Sequence, residues 1–493
     1  MNTISRAFQI KPRAGLCAAM LGAVALAGCA VGPDYAPPDP CAPQVWHAPL
    51  QEGVTAGPSN PAVLASWWTT LGDPTLSSLI ERAVAGNPDL EIARARVRQA
   101  RAERGVAQAG LGPSVNLTGS STWSHSGGDE GSGRTSELHS AGFDAGWELD
   151  LFGGTRRSVE AADADLQARQ EALNETLVTL VSEVGLNYVE VRTYQSRLAA
   201  TQTSLEAQEQ TYQFTAWQSQ AGVSDALAVH QARYNLESTR SQVPSLRAGL
   251  DGAMNRLAVL LGRQPGQLQA ELAAPGPVPV CTEDVAVGVP ADALRQRPDV
   301  RRAERELAAQ TARVGAATAD LYPRLSLSGS IGMQALSLVS GTSSAMSGGP
   351  RITWPVFDSG AIRRNIEVQS ALQEQVLVQY ESTLLAALEE AENALVSYAN
   401  ERQRRRSLED AARAAQEAAV LAEYEYQGGL TDFGNVLDAQ RSLLSFQDQL
   451  AQSNGAVTSN LIRLYKALGG GWTCLPPSRE AVVAPERTHE AKS

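Results

Sequence analysis

The chain has 493 residues and carries 41 Lys and Arg against 53 Asp and Glu, which gives a formal net charge of −12. An acidic chain of this kind lacks the clustered positive charge that phosphate binding needs, so nucleic acid is excluded as a partner. Its five His and five Cys do not stand at metal-ligand spacing, so neither a metal site nor a cofactor is predicted.

The N-terminus is typical of a secretory signal. Residues 1–28 combine three basic residues, no acid, and an apolar run at 14–28 that is shorter than the ~20 residues of a spanning helix. The run ends in "LAGC", which resembles the lipobox of bacterial lipoproteins. That resemblance implies cleavage before Cys29 and lipidation of its thiol, and Ala30 favours the outer membrane over inner-membrane retention. The alternative is an ordinary signal peptide that contains a cysteine.

In the rest of the chain, the second half is similar in sequence to the first half. Residues 87–120 align without a gap to 297–330 at an offset of 210, and 220–232 align to 427–439 at an offset of 207. Such a register indicates an internal repeat. The predicted organisation is therefore a lipid-anchored N-terminal extension, two repeats, a linker rich in Pro and Gly, and a C-terminal tail. Their ranges are 29–62 for the extension, 63–273 and 291–470 for the repeats, 274–290 for the linker, and 471–493 for the tail.

Each repeat has the same predicted plan. A helix is followed by two strands with alternating apolar residues, a long helix, a short turn and a returning helix. The predicted helices include 88–110, 155–217, 224–262 and 360–426. Apolar residues recur every seven positions in the long helices, which predicts coiled-coil packing. In the first long helix these are Leu177, Val184, Val191, Leu198, Leu205 and Tyr212.

Four strands of about ten residues fit a tilted crossing of a bilayer, but four cannot close a barrel. Their edges would then be unsatisfied in lipid, so we expect strands to be pooled between chains. The predicted fold is mixed and mainly α. As a trimer it forms a 12-strand transmembrane β-barrel with four strands per chain, continued by a long α-helical coiled-coil barrel.

Several motifs together resemble one family. The lipobox followed by "VGPDY", then "RPDVRRAE", "GGLTDFGNVLDAQRSL" and "LYKALGGGW", are similar to the TolC-type outer-membrane factors, specifically the NodT-like lipoprotein branch. The similarity covers essentially residues 29–473. It implies a homotrimeric exit duct of a tripartite efflux pump in the outer membrane of a Gram-negative bacterium. The implied partners are outer-membrane lipid, a periplasmic adaptor and an inner-membrane pump, often of the resistance-nodulation-division type.

The turns that join the long helices contain the residues expected at the periplasmic tips of this family. They are Gly222 and Val223 in the first repeat, and Gly429, Leu430 and Thr431 in the second. Glycine fits a tight helical hairpin because it turns without steric cost. The resemblance implies that Val223 and Leu430 also contact the adaptor. The alternative is that these residues serve only as turns.

The family's periplasmic gate is a ring of charge and hydrogen bonds next to the tip. The matching positions are Asp438 and Arg441, and three copies of Asp438 around an axis would repel one another and attract cations. Asn435 stands where some relatives carry a second acid, and Gly434 stands where a bulky apolar residue often narrows the pore. The alternative is an ordinary surface pair between Asp438 and Arg441.

Three cysteines remain after cleavage and lipidation, and an oxidising compartment favours pairing. Cys281 and Cys474 lie near the ends of the two halves of the sequence and are the favoured pair. Cys41 would then be unpaired, and the other pairings stay open.

Two rival functions are weaker. "GDEGSGRT" at 128–135 mimics a phosphate-binding loop, but it carries Arg134 in place of the Lys and a strand follows it, so no enzyme is predicted. A lipid-anchored coiled-coil spacer without a pore would leave the strands and the repeat unexplained.

Overall fold

The computed structural model describes residues 30–39, 43–57, 60–127, 134–281, 285–335 and 341–472. The predicted signal peptide, Cys29, Cys41 and Cys474 lie outside these ranges, as does most of the stretch 128–135. No helix within the described ranges is long and apolar enough to cross a membrane.

The chain is mainly helical, and its element order repeats. The strands are β1 (Val54–Thr55), β2 (Ser114–Ser126), β3 (Arg134–Leu149), β4 (Val285–Ala286), β5 (Arg324–Ala335) and β6 (Thr342–Thr353). The helices are α1 (Pro61–Ala65), a 3₁₀ turn (Trp67–Leu71), α2 (Pro74–Gly86), α3 (Pro88–Ala109), α4 (Gly154–Gln220), α5 (Ala226–Leu260), α6 (Gln269–Leu272), α7 (Pro290–Gln296), α8 (Pro298–Ala319), α9 (Ala361–Gln427) and α10 (Phe433–Ala467).

The long helices lie where the periodicity places them. Helices α3, α4, α5 and α9 begin and end within three residues of their predicted bounds. The start of α3 shows the local reason: Pro88 stands in its first turn, and the side chain of Asn87 accepts a hydrogen bond from the Leu90 amide at 3.0 Å.

Contacts divide the chain into two compact units. The first, which we call the strand unit, comprises residues 1–39, 96–170 and 302–381. The second, the helical unit, comprises 40–95, 171–301 and 382–493. Both units draw segments from both repeats, so the repeats do not fold as two separate bodies.

The strand unit contains one antiparallel sheet of four strands in the order β2-β3-β5-β6. The hairpin β2-β3 pairs Val115 with Ala145, and the hairpin β5-β6 pairs Leu325 with Ile352. These two pairs differ by the same offsets of 210 and 207 that relate the repeats in sequence. The two hairpins therefore share one register.

The helical unit is built around an apolar cluster that we call the central core. The aromatic side chains at its centre are Trp67, Tyr188 and Tyr398, each at most 2% exposed. Trp67 is stacked on Tyr465 at 5.8 Å between ring centroids. Short segments near the N-terminus and around β4 contribute to the same cluster, which also contains Leu177, Val184, Leu257, Leu461, Ile462 and Leu464.

In both repeats, a side chain donates a hydrogen bond to a carbonyl at the end of the returning helix. The Asn87 amide donates to the carbonyl of Leu260, at the end of α5, at 2.9 Å. At the equivalent position, Arg297 donates to the carbonyl of Ala467, at the end of α10, at 2.7 Å. Arg297 further binds Asp299 and Glu390 at 2.8 and 2.6 Å. A larger side chain thus makes the same link and adds ion pairs from the buried guanidinium to two partly exposed acids.

The heptad prediction for α4 is confirmed as far as Leu198, and further along the helix Tyr212 packs against a small apolar cluster that includes Phe433 and Leu437. Leu177, Val184 and Val191 are at most 1% exposed, whereas Leu205 and Tyr212 are only half-buried. The fully buried residues in this part of α4 are polar, and a search for periodic apolar residues does not detect them. These are Thr201, Gln208, Thr211 and Thr215.

Candidate functional site

The turns that join α4 to α5 and α9 to α10 have the same geometry. Gly222 and Gly429 both have φ of +72°. The amide of Val223 donates to the carbonyl of Gln218 at 2.9 Å, and the amide of Leu430 donates to that of Glu425 at 2.8 Å. A left-handed residue followed by this bond is the Schellman ending of a helix, which favours glycine.

The apolar residue that follows each of these glycines points into solvent. Val223 is 76% exposed and Leu430 is 81% exposed. A residue whose only role is to end a helix does not need an exposed apolar side chain. Thr431 is half-buried, and its hydroxyl accepts a hydrogen bond from the Asn435 amide at 2.7 Å. The two turns therefore present a matched pair of apolar tips.

Arg441 lies on α10 and contacts α5 as well as its own helix. Its Nε donates to Oδ1 of Asn235 at 2.8 Å, and its guanidinium lies 5.3 Å from the ring centroid of Tyr234. The contact with Asp438 is longer, at 3.9 Å, and leaves that carboxylate 80% exposed. Arg441 is thus a link between the two repeats, and Asp438 remains available to other groups.

The remaining residues predicted near the gate are exposed. Asn435 is exposed and bonded to Thr431, and a side chain at Gly434 would have no described atom within 4 Å of its Cβ. The surface at Gly434, Asn435 and Asp438 is therefore open along one face of α10.

Sequence reasoning missed Asn235 and Tyr234 as partners of Arg441. A usable signal was present, because the offset of 207 makes 234 the repeat equivalent of 441. The helices that follow the two tips meet at this equivalent position, so a pseudo-symmetric pairing was available from the alignment.

The four-stranded sheet has one apolar and one polar face. On the polar face, Thr118 donates to Asp144 at 2.8 Å, and the hydroxyls of Ser330 and Ser347 lie 2.8 Å apart. The other face leaves large apolar side chains more than one third exposed. They are Val115, Leu117, Trp123, Phe143, Trp147, Leu327, Ile331, Met333, Met346, Ile352 and Trp354. An apolar surface of this extent marks a contact with lipid or protein.

Two tryptophans mark where this face ends. The indole of Trp147 donates to the carbonyl of Leu111 at 2.9 Å, and that of Trp354 donates to the carbonyl of Leu321 at 3.1 Å. Both pairs are related by the repeat offsets. Amphipathic rings in such positions are common at the boundary between lipid and water.

The residues just after Cys29 pack against the start of α4 and the residues before it. The amide of Val31 donates to the carbonyl of Phe152 at 3.1 Å, and Arg157 binds Asp34 at 2.6 Å. Cys29 itself lies outside the described residues. Cys281 is half-buried with its sulfur 3.9 Å from the Thr70 hydroxyl, and its pairing with Cys474 stays a prediction because Cys474 is not described.

Comparison with known proteins agrees with this geometry. The family model described as outer membrane efflux protein matches residues 79–263 and 289–470. Nodulation protein T of Rhizobium leguminosarum bv. trifolii is 34% identical over 455 residues, which is 91% of this chain and 95% of that protein. The cation efflux system protein CusC of Escherichia coli is 33% identical over 460 residues, covering 91% and 97%.

The solved structures give the same answer for the fold. The outer-membrane channel OprN superposes with a TM-score of 0.84 at 38% identity, covering 90% of this chain and all of that one. The family match spans most of both repeats, and the relatives are matched over nearly their whole lengths. The chain therefore belongs to the outer membrane efflux protein family and is an efflux channel of the bacterial outer membrane.

Proposed function

We propose that three copies of this chain form the exit duct of a tripartite pump. The observation that carries the proposal is the open sheet, which has an apolar face, a polar face, and no described strand on the outer edges of β2 and β6. Such edges cannot remain unpaired in lipid, where each unsatisfied backbone group costs several kcal/mol. Twelve strands from three copies close a barrel of ordinary size.

The test combines mass and conductance. Light scattering of the detergent-solubilised protein is expected to give three chains, and planar bilayers are expected to show discrete conductance steps. A monomer that does not conduct would contradict the proposed duct function and favour the alternative, a lipid-anchored coiled-coil spacer.

We further propose that the tips dock a periplasmic adaptor, which links the duct to an inner-membrane pump of the resistance-nodulation-division type. The support is the pair of exposed apolar tips, Val223 and Leu430, held by identical turns. The surface is small and local, so one bulky residue in a tip is expected to block docking.

Gly429→Trp is expected to abolish export of the pump's substrates while trimers still form. Gly266→Trp is the matched control, because Gly266 also has positive φ, at +90°, and open space around its Cβ. Equal export by both variants would show that the tip does not contact the adaptor. An equal loss of export would show that backbone strain, rather than lost docking, is the cause.

The residues near the tip act in our proposal as the gate. Asp438 is exposed and lies on the helix that Arg441 ties to α5, so its carboxylate is free to face the copies around the axis. Asp438→Ala is expected to change single-channel conductance and cation selectivity. Asp410→Ala, at another exposed acid paired three residues away, is the control. Unchanged conductance would exclude Asp438 from the gate.

We also propose that Cys29 carries the lipid and serves routing and assembly. The segment that follows it is held against the start of α4 by Arg157, which supports a defined position for the anchor. Cys29→Ala with a cleavable signal is expected to conduct but to assemble poorly, whereas Cys41→Ala assembles normally. Mass spectrometry of the N-terminal peptide tests the modification, and efficient assembly of Cys29→Ala would show that the lipid is dispensable.

A further inference from the structure

A cavity lies inside the strand unit, between the start of α4 and the end of α8. Its volume is about 620 Å³, and Asn365 and Gln369 of α9 complete its lining. Pockets that hold drug-sized molecules have volumes of ~300–1,000 Å³. The cavity therefore has room for an organic molecule, and neither the tips nor the gate uses it.

Alanines make up much of the cavity wall. Ala161 and Ala162 come from α4, and Ala316, Ala317 and Ala319 come from α8. Ala161, Ala317 and Ala319 are at most 8% exposed. Methyl groups present an apolar surface while filling little space, so this part of the wall suits an apolar body.

Most of the charges around the cavity are paired with each other. Four acids and two arginines line it. Asp165 binds Arg313 at 2.5 Å, and Asp320 binds Arg324 at 2.5 Å. Each arginine is therefore neutralised by one acid, and the other two acids give the lining a net negative charge.

Glu148 is the acid of this lining that remains without a partner. It lies on the same face of β3 as Asp144, the polar face, because residues four apart on a strand point to the same side. Glu148 is exposed and makes no hydrogen bond or ion pair with any residue of the described ranges. Asp150, by contrast, binds Arg156 at 3.3 Å. The Glu148 carboxylate is thus available to a cation in the cavity.

The repeat offsets show that the fold does not require these acids. Both repeats form the same hairpin followed by the same long helix. Each of the four acids nevertheless has a non-acidic equivalent in the other repeat, and these equivalents are Pro355, Phe357, Leu372 and Gly110. The acids are therefore not needed to form these elements, and a role in binding accounts for them.

The arrangement does not suit a metal ion. No group of acidic, His or Cys side chains within the described ranges converges as metal ligands would. One free carboxylate beside an apolar wall instead fits an organic cation, whose charge meets the acid while its apolar body is removed from water.

We propose that this cavity binds organic cations that have an apolar body, with the positive charge next to Glu148 and the body on the alanines. The inference rests on the proposed duct, which brings such molecules past the polar face of the sheet. It adds a class of ligand and a binding site that is built within one chain.

Ethidium is the probe for the charge, because it is a flat aromatic cation whose fluorescence rises when it leaves water. Detergent-solubilised Glu148→Gln is expected to bind ethidium about tenfold more weakly than the wild type, since the neutral amide loses the charge attraction. Glu417→Gln makes the same change at another exposed acid, on α9, and is expected to bind normally. The anionic dye anilinonaphthalene sulfonate reports uptake by the detergent, and it is expected to bind Glu148→Gln no more weakly than the wild type.

A second variant fills the cavity without removing a charge. Ser158 lines the cavity, is exposed on α4, and donates from its hydroxyl to the carbonyl of Gly154 at 2.9 Å. Ser158→Phe is expected to weaken ethidium binding by a similar factor. Ser241→Phe is the matched control, because Ser241 is exposed on α5 and its hydroxyl likewise donates to the preceding turn, to Ser238 at 2.7 Å.

The two proposals fail in different ways. Unchanged ethidium binding in either cavity variant, measured on protein that conducts in bilayers, would overturn the cavity site and leave the duct standing. Weaker binding in both variants, together with a wild type that does not conduct, would support the site and overturn the duct.

Discussion

The central core and the region of the helical unit next to the tips differ in the residues of α4 that are fully buried. Around Leu177 and Val184, α4 is buried against Trp67, Leu257 and other apolar side chains. Nearer the tip the fully buried residues of α4 are polar, as are several buried residues of α5 and α10, and Gln440 of α10 donates to the Thr211 hydroxyl of α4. We call this set the polar seam: Gln208, Thr211, Thr215, Asn235, Thr239 and Gln440.

The polar seam is only partly satisfied by cross-helix bonds. Thr211 and Thr215 donate to carbonyls of their own helix at 2.9 and 2.8 Å. Gln440 donates to the Thr211 hydroxyl at 2.9 Å, while Oε1 of Gln440 and Oε1 of Gln208 have no protein partner among the described residues. A buried polar atom left without a bond costs about 1–3 kcal/mol.

The difference shows which part of the helical unit supplies most of its stability. Apolar burial gives the central core its strength, at about 25 cal/mol per Å² of apolar surface removed from water. Polar residues inside a coiled coil specify register at a cost in stability. The polar seam therefore contributes less stability than the central core and acts mainly to fix the register of the helices.

The largest effect is expected from the central core. Trp67→Ala removes a fully buried ring that is stacked on Tyr465 and meets Trp68 edge-on at 5.9 Å. We expect a loss of about 3–5 kcal/mol in the free energy of unfolding. Denaturant unfolding of the detergent-solubilised protein, followed by circular dichroism, measures it. Trp217→Ala, at a ring that is 64% exposed, is the control, and an equal loss in both would refute the comparison.

A smaller, pH-dependent effect is expected from the ion pair of Arg297 in the helical unit. Burial acts to raise the pKa of Asp299, but hydrogen bonds and charge from Arg297 outweigh it and hold the pKa below its usual value. A lowered pKa stabilises the fold above the ordinary value, and this contribution is lost as pH falls through the folded value.

Asp299→Asn is therefore expected to cost about 1–3 kcal/mol at pH 7, and this cost shrinks below about pH 4. Unfolding curves of both proteins across that range measure the difference. Asp410→Asn, at an acid that is 77% exposed in its side chain, is expected to change little at any pH. A cost that stays constant down to pH 2 would contradict the assignment to the carboxylate charge.

The smallest effect on stability is expected from the polar seam. Gln440→Leu replaces a side chain that is 8% exposed and whose carbonyl oxygen has no described partner. We expect stability to be unchanged or raised by about 1 kcal/mol, since the unpaired oxygen is removed. Denaturant unfolding of both proteins measures the difference. Gln447→Leu, outside the polar seam, is the control. A lower free energy of unfolding in Gln440→Leu would show that the polar seam stabilises the fold.

Much of this architecture could be predicted because it depends on local pattern. The helix bounds follow from Asn87-Pro88 caps and apolar periods, and the strands follow from alternation. The turns at Gly222 and Gly429 could be predicted because few residues other than glycine adopt a left-handed conformation without cost. The repeat offset of 207 relates Arg441 to Tyr234 and could have predicted that contact, whereas the hydrogen bond from Arg441 to Asn235 depends on how the side chains of α5 and α10 pack.

By itself, the sequence determined the long helices, the four strands of the sheet, the two-fold repeat and the family, since each is encoded in spacing along the chain. Tertiary structure alone decided which equivalent residues differ. Gly315 is buried while Gly105 is bare, and Arg157 is covered while Arg364 is exposed. The physical reason is that burial depends on which neighbour lies against a face, and one chain supplies a neighbour for only one of two matching faces.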